Sequence, residues 1–436
     1  PAGRAGPDEA LAALAGPLQR EPGALGHAVE DVLSEYLSRM HANVARWIRE
    51  DEPAAEEVAD VAEFVLFDAR VGLERFEAGM STNPFDQPPC HWRGVADDLE
   101  RMLLSDWEVR SCDDFARRVE AAYAAPVGTG RRTTAPLDVL DAAARRVGAW
   151  SARAAARERA VSVLIATLNR VLRLYRTSTR HLVSPPAPAK AGDEGSAAKD
   201  ALSKAVRGLR RRAGQKKPPA HASAPAAVSD FVAAAAEAAQ LAQFCKLQDS
   251  HAHPHLAAHA VCTDVAAAFA SAFEREVSGI AAVLVETHFV AANQQHIKNI
   301  KFRTARTSES GQGALAGIFG AAYLFLEDAV YDAPSLCGSL VCNALVAYLA
   351  QRWAQSFRRS PPKLSACPQL VASVDADAAS LRELAERWGA EAHWRSGKAG
   401  PLQPLLEVRQ MLQDPSGEGL ARGAARLEGL LGGEQG

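Results

Sequence analysis

The chain has 436 residues, of which 48% are apolar and 23% charged, an ordinary globular composition with enough apolar side chains for more than one compact unit. A formal net charge of −3 argues against a general nucleic-acid binder and leaves only local charge to consider. Seven scattered cysteines without a CxxC pair argue against a disulfide framework and suit a reducing cytosol.

The chain opens on Pro1 rather than methionine and shows no signal-peptide pattern, so it is expected to be a piece of a longer polypeptide. Its first clear element is "HAVEDVLSEYLSRMHANVARWI". There Val29, Val32, Leu33, Tyr36, Leu37, Met40, Val44, Trp47 and Ile48 recur at three- and four-residue steps. That spacing predicts one long amphipathic helix. Further helical stripes are expected over Val58 to Phe76, Val95 to Leu104, Phe115 to Tyr123 and Leu137 to Leu182. Breakers such as "STNPFDQPP" and "APVGTGRRTTAP" separate them.

The stretch from Ser184 to Val228 differs in kind, being rich in Pro, Ala, Lys and Arg. Its ends read as linker, and its middle is compatible with a short helix. Lys204, Arg207, Arg210, Arg211, Arg212, Lys216 and Lys217 crowd together there, with Lys199 before them and only Asp200 opposing. Such a patch suits anionic lipid headgroups at about 1 kcal/mol per basic residue, or else a solvated linker.

Helical periodicity resumes over Val228 to Leu247, then Leu256 to Phe302, Leu315 to Tyr331, Leu336 to Phe357, Leu370 to Trp388, Leu402 to Leu412 and Leu420 to Leu431. Pro254 suits a first helical turn, Ser335 a cap, and Asp414-Pro415-Ser416 a stop and restart. The most apolar window, Ser335 to Ala350, is too short for a membrane span and reads as a buried helix. Strand alternation is nearly absent. The expected fold class is all-α, an elongated rod of stacked antiparallel helical bundles. The expected organisation is an N-terminal bundle region over 1–183, a basic linker over 184–227 and C-terminal bundles over 228–436.

Chemistry is sought first in "DSHAHPHLAAHAVCTD", where His255, His259 and Cys262 stand four and three positions apart. On a helix they would share a face, as zinc ligands would. No acidic residue sits between the histidines as HExxH requires, and three ligands make an incomplete structural site. They are weak metal candidates, and no metal or cofactor is expected. No Walker loop, GxSxG elbow or kinase set is found. Gly313, Gly317 and Gly320 are expected to serve close helix packing. The carboxylate pairs Glu327/Asp328, Asp375/Asp377 and Glu383/Glu386 are expected on solvated helix faces.

The region from about Val228 onward contains "AAVSDFVAAAAEAAQLAQFCKLQ", "GIFGAAYLFLEDAVYDAPSLCGSLVCNALVAYLAQRWAQSF", "CPQLVASVDADAASLRELAERW" and "GPLQPLLEVRQMLQDPSGEGLARGAARLEGLL". This succession of helices resembles the C-terminal region of exocyst complex component 3, the Sec-six subunit of the exocyst. Within it, Leu336, Leu340, Val341, Leu345, Tyr348 and Leu349 form one apolar face. Asp375 and Asp377, with Leu381, Leu384 and Trp388, occupy the acidic helix. Leu405, Leu406, Val408, Met411 and Leu412 fill the next.

The resemblance implies a non-enzymatic subunit that tethers secretory vesicles to the plasma membrane before SNARE-mediated fusion. Its partners would be other exocyst subunits and SNARE proteins, with peripheral contact to anionic plasma membrane and no nucleic acid. It would be cytoplasmic, at sites of exocytosis, and Trp353 and Arg352 are picked as docking residues. Alternatives are a phosphoinositide-binding membrane-remodelling relative, a helical scaffold of another complex, and a metal-binding helical enzyme.

Overall fold

The abundance of alanine and leucine at helical spacing is expressed as helix throughout, and among the described residues no strand occurs. The structure is a computed structural model that describes residues 22–80, 91–183, 227–247, 260–298, 300, 313–359, 367–394, 400–413 and 417–432. The helices are α1 (Pro22–Glu50), α2 (Ala55–Glu63), α3 (Arg70–Met80), α4 (His91–Tyr123), α5 (Arg131–Ala149), α6 (Ala154–Val183), α7 (Val228–Leu247), α8 (Ala260–Leu284), α9 (Gln294–Lys298), α10 (Ala316–Val330), α11 (Ser335–Arg359), α12 (Cys367–Arg387), α13 (Gln403–Gln413) and α14 (Gly417–Gly432). Wider π turns, Phe64–Ala69 and Val285–Val290, follow α2 and α8. None of the described helices is long and apolar enough to cross a membrane.

Contacts divide the chain into two compact units. Described residues of the first fall within Pro1–Ala121, Ala135–Val171 and Gln248–Val265; those of the second fall within Ala122–Thr134, Leu172–Leu247 and Ala266–Gly436.

In the first unit, Leu37, Trp92 and Ala96 form a core against Leu33, Met40, Leu73 and Val95. Helix ends carry unpaired backbone groups, and here remote side chains satisfy them. Glu30 on α1 accepts the Trp92 N–H at the start of α4 at 2.8 Å. Arg110 on α4 donates to the carbonyls of Ile48 and Pro53, both at 3.1 Å, where α1 runs out. A π turn displaces one carbonyl from the regular ladder, and Arg153 donates to Leu66 O in that turn at 3.1 Å. Arg146 pairs with Glu56 and Glu63, and the Trp150 indole donates to Glu63 at 3.0 Å. Trp150 is fully buried, edge-on to Trp107 at 4.6 Å.

Three boundaries differ from the sequence reading in this part. The stripes at Val95 and Phe115 belong to one 33-residue helix, α4. Ser111, in the polar stretch between them, is buried rather than part of a loop. The stripe from Leu137 to Leu182 is instead broken at Trp150–Arg153, two residues after Gly148. There the indole of Trp150 turns into the core while the backbone restarts at Ala154. Helix α5 also begins before Pro136. Pro136 is the sixth residue of that helix, past the four N–H groups a helix start leaves unpaired, so it removes the bond to the Arg132 carbonyl that any other residue would make.

In the second unit α11 lies at the centre, in contact with α7, α10, α12, α13 and α14. Its buried residues include Leu345, Val346, Leu349, Ala350, Trp353 and Phe357. Trp353 and Phe357 stack at 6.3 Å. The helix starts directly after Pro334, whose carbonyl accepts the Gly338 N–H at 3.1 Å. Ser335 is therefore already helical rather than the cap. Helix α7 is nearly all alanine inside: Ala234, Ala235, Ala238, Ala239 and Ala242 are buried together with Phe231 and Cys245. Helix α12 ends at Gly389, whose φ of +66° is the left-handed closure that glycine adopts without strain. The expected helix from Leu256 to Phe302 is interrupted at Asn293, whose side-chain amide donates to Phe289 O at 2.9 Å. Leu406, expected in the core, faces outward while Leu405, Val408, Met411 and Leu412 are buried.

Candidate functional site

Buried charge is where a helical protein most often hides chemistry, because an ion is costly to desolvate unless it is paired. Glu237 sits among the alanines of α7 with only 4% of its surface exposed. Its Oε1 accepts the Gly128 N–H at 3.2 Å, and its Oε2 lies 3.2 Å from Arg132 Nε. Gly128 has φ +83°, and a side chain there would also press on Ala233. Arg132, itself 2% exposed, comes from the first turn of α5. It donates to Ser178 Oγ at 2.7 Å and lies 5.1 Å from the Tyr123 ring centroid. Tyr175 closes the cluster, its hydroxyl donating to Ala234 O at 2.7 Å.

The Arg132–Glu237 contact is at ion-pair distance but misdirected for a hydrogen bond. Arg132 Nε, Glu237 Oε2 and the Tyr123 hydroxyl are thus left without hydrogen-bond partners. Burial raises the Glu237 carboxyl above its ordinary value, against the opposing pull of Arg132 and the Gly128 N–H. Burial likewise drives the Tyr123 and Tyr175 hydroxyls well upward, helped by Glu237. Groups shifted this way stay neutral phenols across the physiological range and supply no base.

Asp377 is solved differently. On α12 it is 1% exposed, and it accepts the N–H groups of Ala314 at 2.9 Å and Leu315 at 3.0 Å and the Trp353 indole at 2.8 Å. The backbone donors lie in the turn that leads into α10, so the carboxylate fastens α12, α10 and α11 together. Burial raises its pKa, opposed by the Leu315 N–H, the Trp353 indole and the Ala314 N–H. A side chain at Gly313 would overlap the carboxylate, so glycine is required there by close approach.

Two grooves are described, and neither is lined by Glu237 or Asp377. The first, in unit one, is about 640 Å³ and lined by Cys112, Phe115, Val119, Glu120, Thr167 and Arg170. Burial, with Glu108 and Asp113, raises the Cys112 thiol, the opposite of nucleophile activation. Arg170 is paired with Glu120. The second groove, in unit two, is about 530 Å³. Its walls are Phe289, Ala292 and His288 on one side and Ala321, Leu324, Phe325 and Asp328 on the other. Cys245, Cys337 and Cys342 are buried thiols pushed up to about 12, which are inert.

Most of the residues singled out from the sequence are not brought together. His255 and His259 lie outside the described residues, and Cys262 is placed only as backbone in the first turn of α8. Among the described residues no group of three His, Cys, Asp or Glu side chains is arranged to hold a metal. Lys204, Arg207, Arg210, Arg211, Arg212, Lys216 and Lys217 also lie outside the described residues, as do Pro254 and Asp414-Pro415-Ser416.

Four expectations are corrected. Asp377 is buried, whereas its neighbour Asp375 is partly exposed and pairs with Arg409 at 2.6 Å. Trp353, picked as a docking residue, is fully buried core. Gly317 and Gly320 have nothing within 4 Å of where a Cβ would stand, so neither serves a close helix contact within the described chain. Tyr348, placed on the apolar face with Leu345 and Leu349, is only half-buried.

Sequence reading passed over Glu237, Arg132, Tyr123 and Tyr175. One signal was legible: a single Glu inside "AAAAEAAQ", with Ala233, Ala234 and Leu241 among its four neighbours one turn away and only Gln240 polar, is a charge with little solvated face. Its partners, from Tyr123 to Ser178, lie roughly 60 to 110 residues away, and nothing in the sequence announces them. No protein-family model, curated protein or solved structure matches the chain.

Proposed function

We propose that the chain is a non-enzymatic helical subunit of a vesicle-tethering complex of the exocyst type, acting at the cytoplasmic face of the plasma membrane with other subunits and SNARE proteins. The observation that carries this reading is the use of buried charge. Glu237 and Asp377 are spent on fastening helices, the first by Arg132 and Gly128, the second by Ala314, Leu315 and Trp353. Neither lines either of the two described grooves. The segments that carry the exocyst resemblance also pack as one assembly around α11. In this reading the bundles stack into a rod, and helix rise of about 1.5 Å per residue gives such a rod its reach.

The test is affinity recovery of the full parent protein from its own cells, with quantitative mass spectrometry. Recovery of the remaining exocyst subunits in comparable amounts is expected. Recovery of the bait without them would sink the tethering assignment.

A further inference from the structure

Helix α10 is apolar on almost every side, and such a helix belongs in an interior. Its inner face, Ile318, Ala322, Leu326 and Val330, is buried. Its outer face is not: Leu324 is 61% exposed, and Tyr331 just beyond the helix is 76% exposed. Beside that outer face runs the 530 Å³ groove, floored by Phe289 and Phe325, whose rings stand 5.4 Å apart. An uncovered apolar helix face beside a groove offers a place for a partner to sit.

The charges around the groove say what kind of partner. Asp328 lines it, and Asp332 follows one helical turn later, just past the end of α10. The last carbonyls of α10 add partial negative charge at the same end. Among the described residues no Lys or Arg lines the groove, and nearby Arg387 is held by Glu327 at 2.9 Å and by the Tyr323 ring. His288 Nε2, in the opposite wall, has no hydrogen-bond partner. An acidic rim repels an anionic membrane and attracts a cationic chain.

We infer that this groove of α10 and the Val285–Val290 turn is a docking site for an amphipathic helix of a partner protein, its apolar face flanked by Lys or Arg. The apolar face covers Leu324 and Phe325, and a basic side chain meets Asp328. Apolar anchors at three- and four-residue steps laid in a groove are a common way for helices to be recognised. The inference deepens the scaffold reading by naming a partner class, and it does not depend on which complex the chain joins.

The test uses two fluorescent helical peptides with the same Leu/Ala face, one flanked by Lys and one by Glu, titrated against the full chain by anisotropy. The Lys peptide is expected to bind at least about tenfold more tightly than the Glu peptide. Leu324→Glu should abolish that binding, and Asp328→Lys should reverse the preference. Both positions are exposed, so the fold survives, which circular dichroism checks. Equal binding of both peptides, no binding, or binding unaffected by both substitutions overturns the inference. Binding that emerges only after deletion of residues 199–217 also overturns it, assigning the groove to the chain's own basic segment. The titration needs no other subunit, so its failure leaves the co-recovery test of the tethering reading untouched.

Discussion

Glu237 and Asp377 are both acidic residues inside the second unit, and the two are neutralised by different means. Glu237 faces a cation, Arg132, that is as buried as itself, and the pair leaves polar atoms without partners. Asp377 is held instead by two backbone N–H groups and an indole. Backbone dipoles fixed by the turn before α10 cost no side-chain entropy, and none of the three donors is a second desolvated ion. The comparison teaches that one interior can hold a replaceable ion pair and an irreplaceable clasp.

The largest expected effect breaks the clasp. Asp377→Ala orphans the Ala314 and Leu315 N–H groups and the Trp353 indole, and should cost about 4 kcal/mol. Denaturant unfolding followed by tryptophan fluorescence reads it, and a loss below about 1 kcal/mol would remove the clasp from the account. Arg132→Met comes next, at about 3 kcal/mol, because it strands the Glu237 charge. Here the comparison sharpens: adding Glu237→Leu should restore most of that loss, since apolar residues often replace a buried pair without penalty. No single second substitution should rescue Asp377→Ala, whose stranded donors are mostly backbone.

Gly313→Ala is expected to cost about 2 kcal/mol through overlap with the Asp377 carboxylate. In an Asp377→Ala background the overlap is gone and the added cost should fall near zero, a coupling that a double-mutant cycle measures. Additive losses would show that Gly313 is needed for something else.

Titration gives a smaller effect with a definite sign. Asp377 is raised in the folded chain, so the native state keeps its proton at a pH where the unfolded state has lost it. Its contribution is fully present below the ordinary aspartate value of about 3.9 and is lost as pH rises through the higher folded value. The stability of the parent relative to Asp377→Asn should therefore fall as pH rises through that window. A flat or opposite trend would mean that the N–H donors outweigh burial. The smallest effect separates two phenols. Tyr175→Phe should cost about 1 kcal/mol by losing the bond to Ala234 O, whereas Tyr123→Phe, whose hydroxyl has no partner, should be neutral within about 0.5 kcal/mol.

Much of the helical layout was legible without coordinates. The stripes at Val228 to Leu247, Leu315 to Tyr331 and Leu336 to Phe357 fall within a residue or two of α7, α10 and α11, because core-facing positions must repeat every 3.6 residues. The break at Trp150 had one weak signal, Gly148 two residues before it, because an isolated Gly is also tolerated inside a helix. The polar clusters were nearly invisible. Asp375 and Asp377 are two residues apart in one acidic run, yet one is partly exposed and the other is sealed. Residues two apart on a helix point about 200° away from each other, so which one enters the core depends on the neighbours.

The sequence by itself determined that this protein is built of helices, where most of them run and which stripes turn inward, because local periodicity and propensity act over a few turns. Only the tertiary structure decided which charges are buried and what answers them, and that α10 keeps an apolar side uncovered. Those outcomes depend on contacts between residues far apart in the chain, such as Gly128 with Glu237 and Leu315 with Asp377. Such contacts leave no period in the sequence.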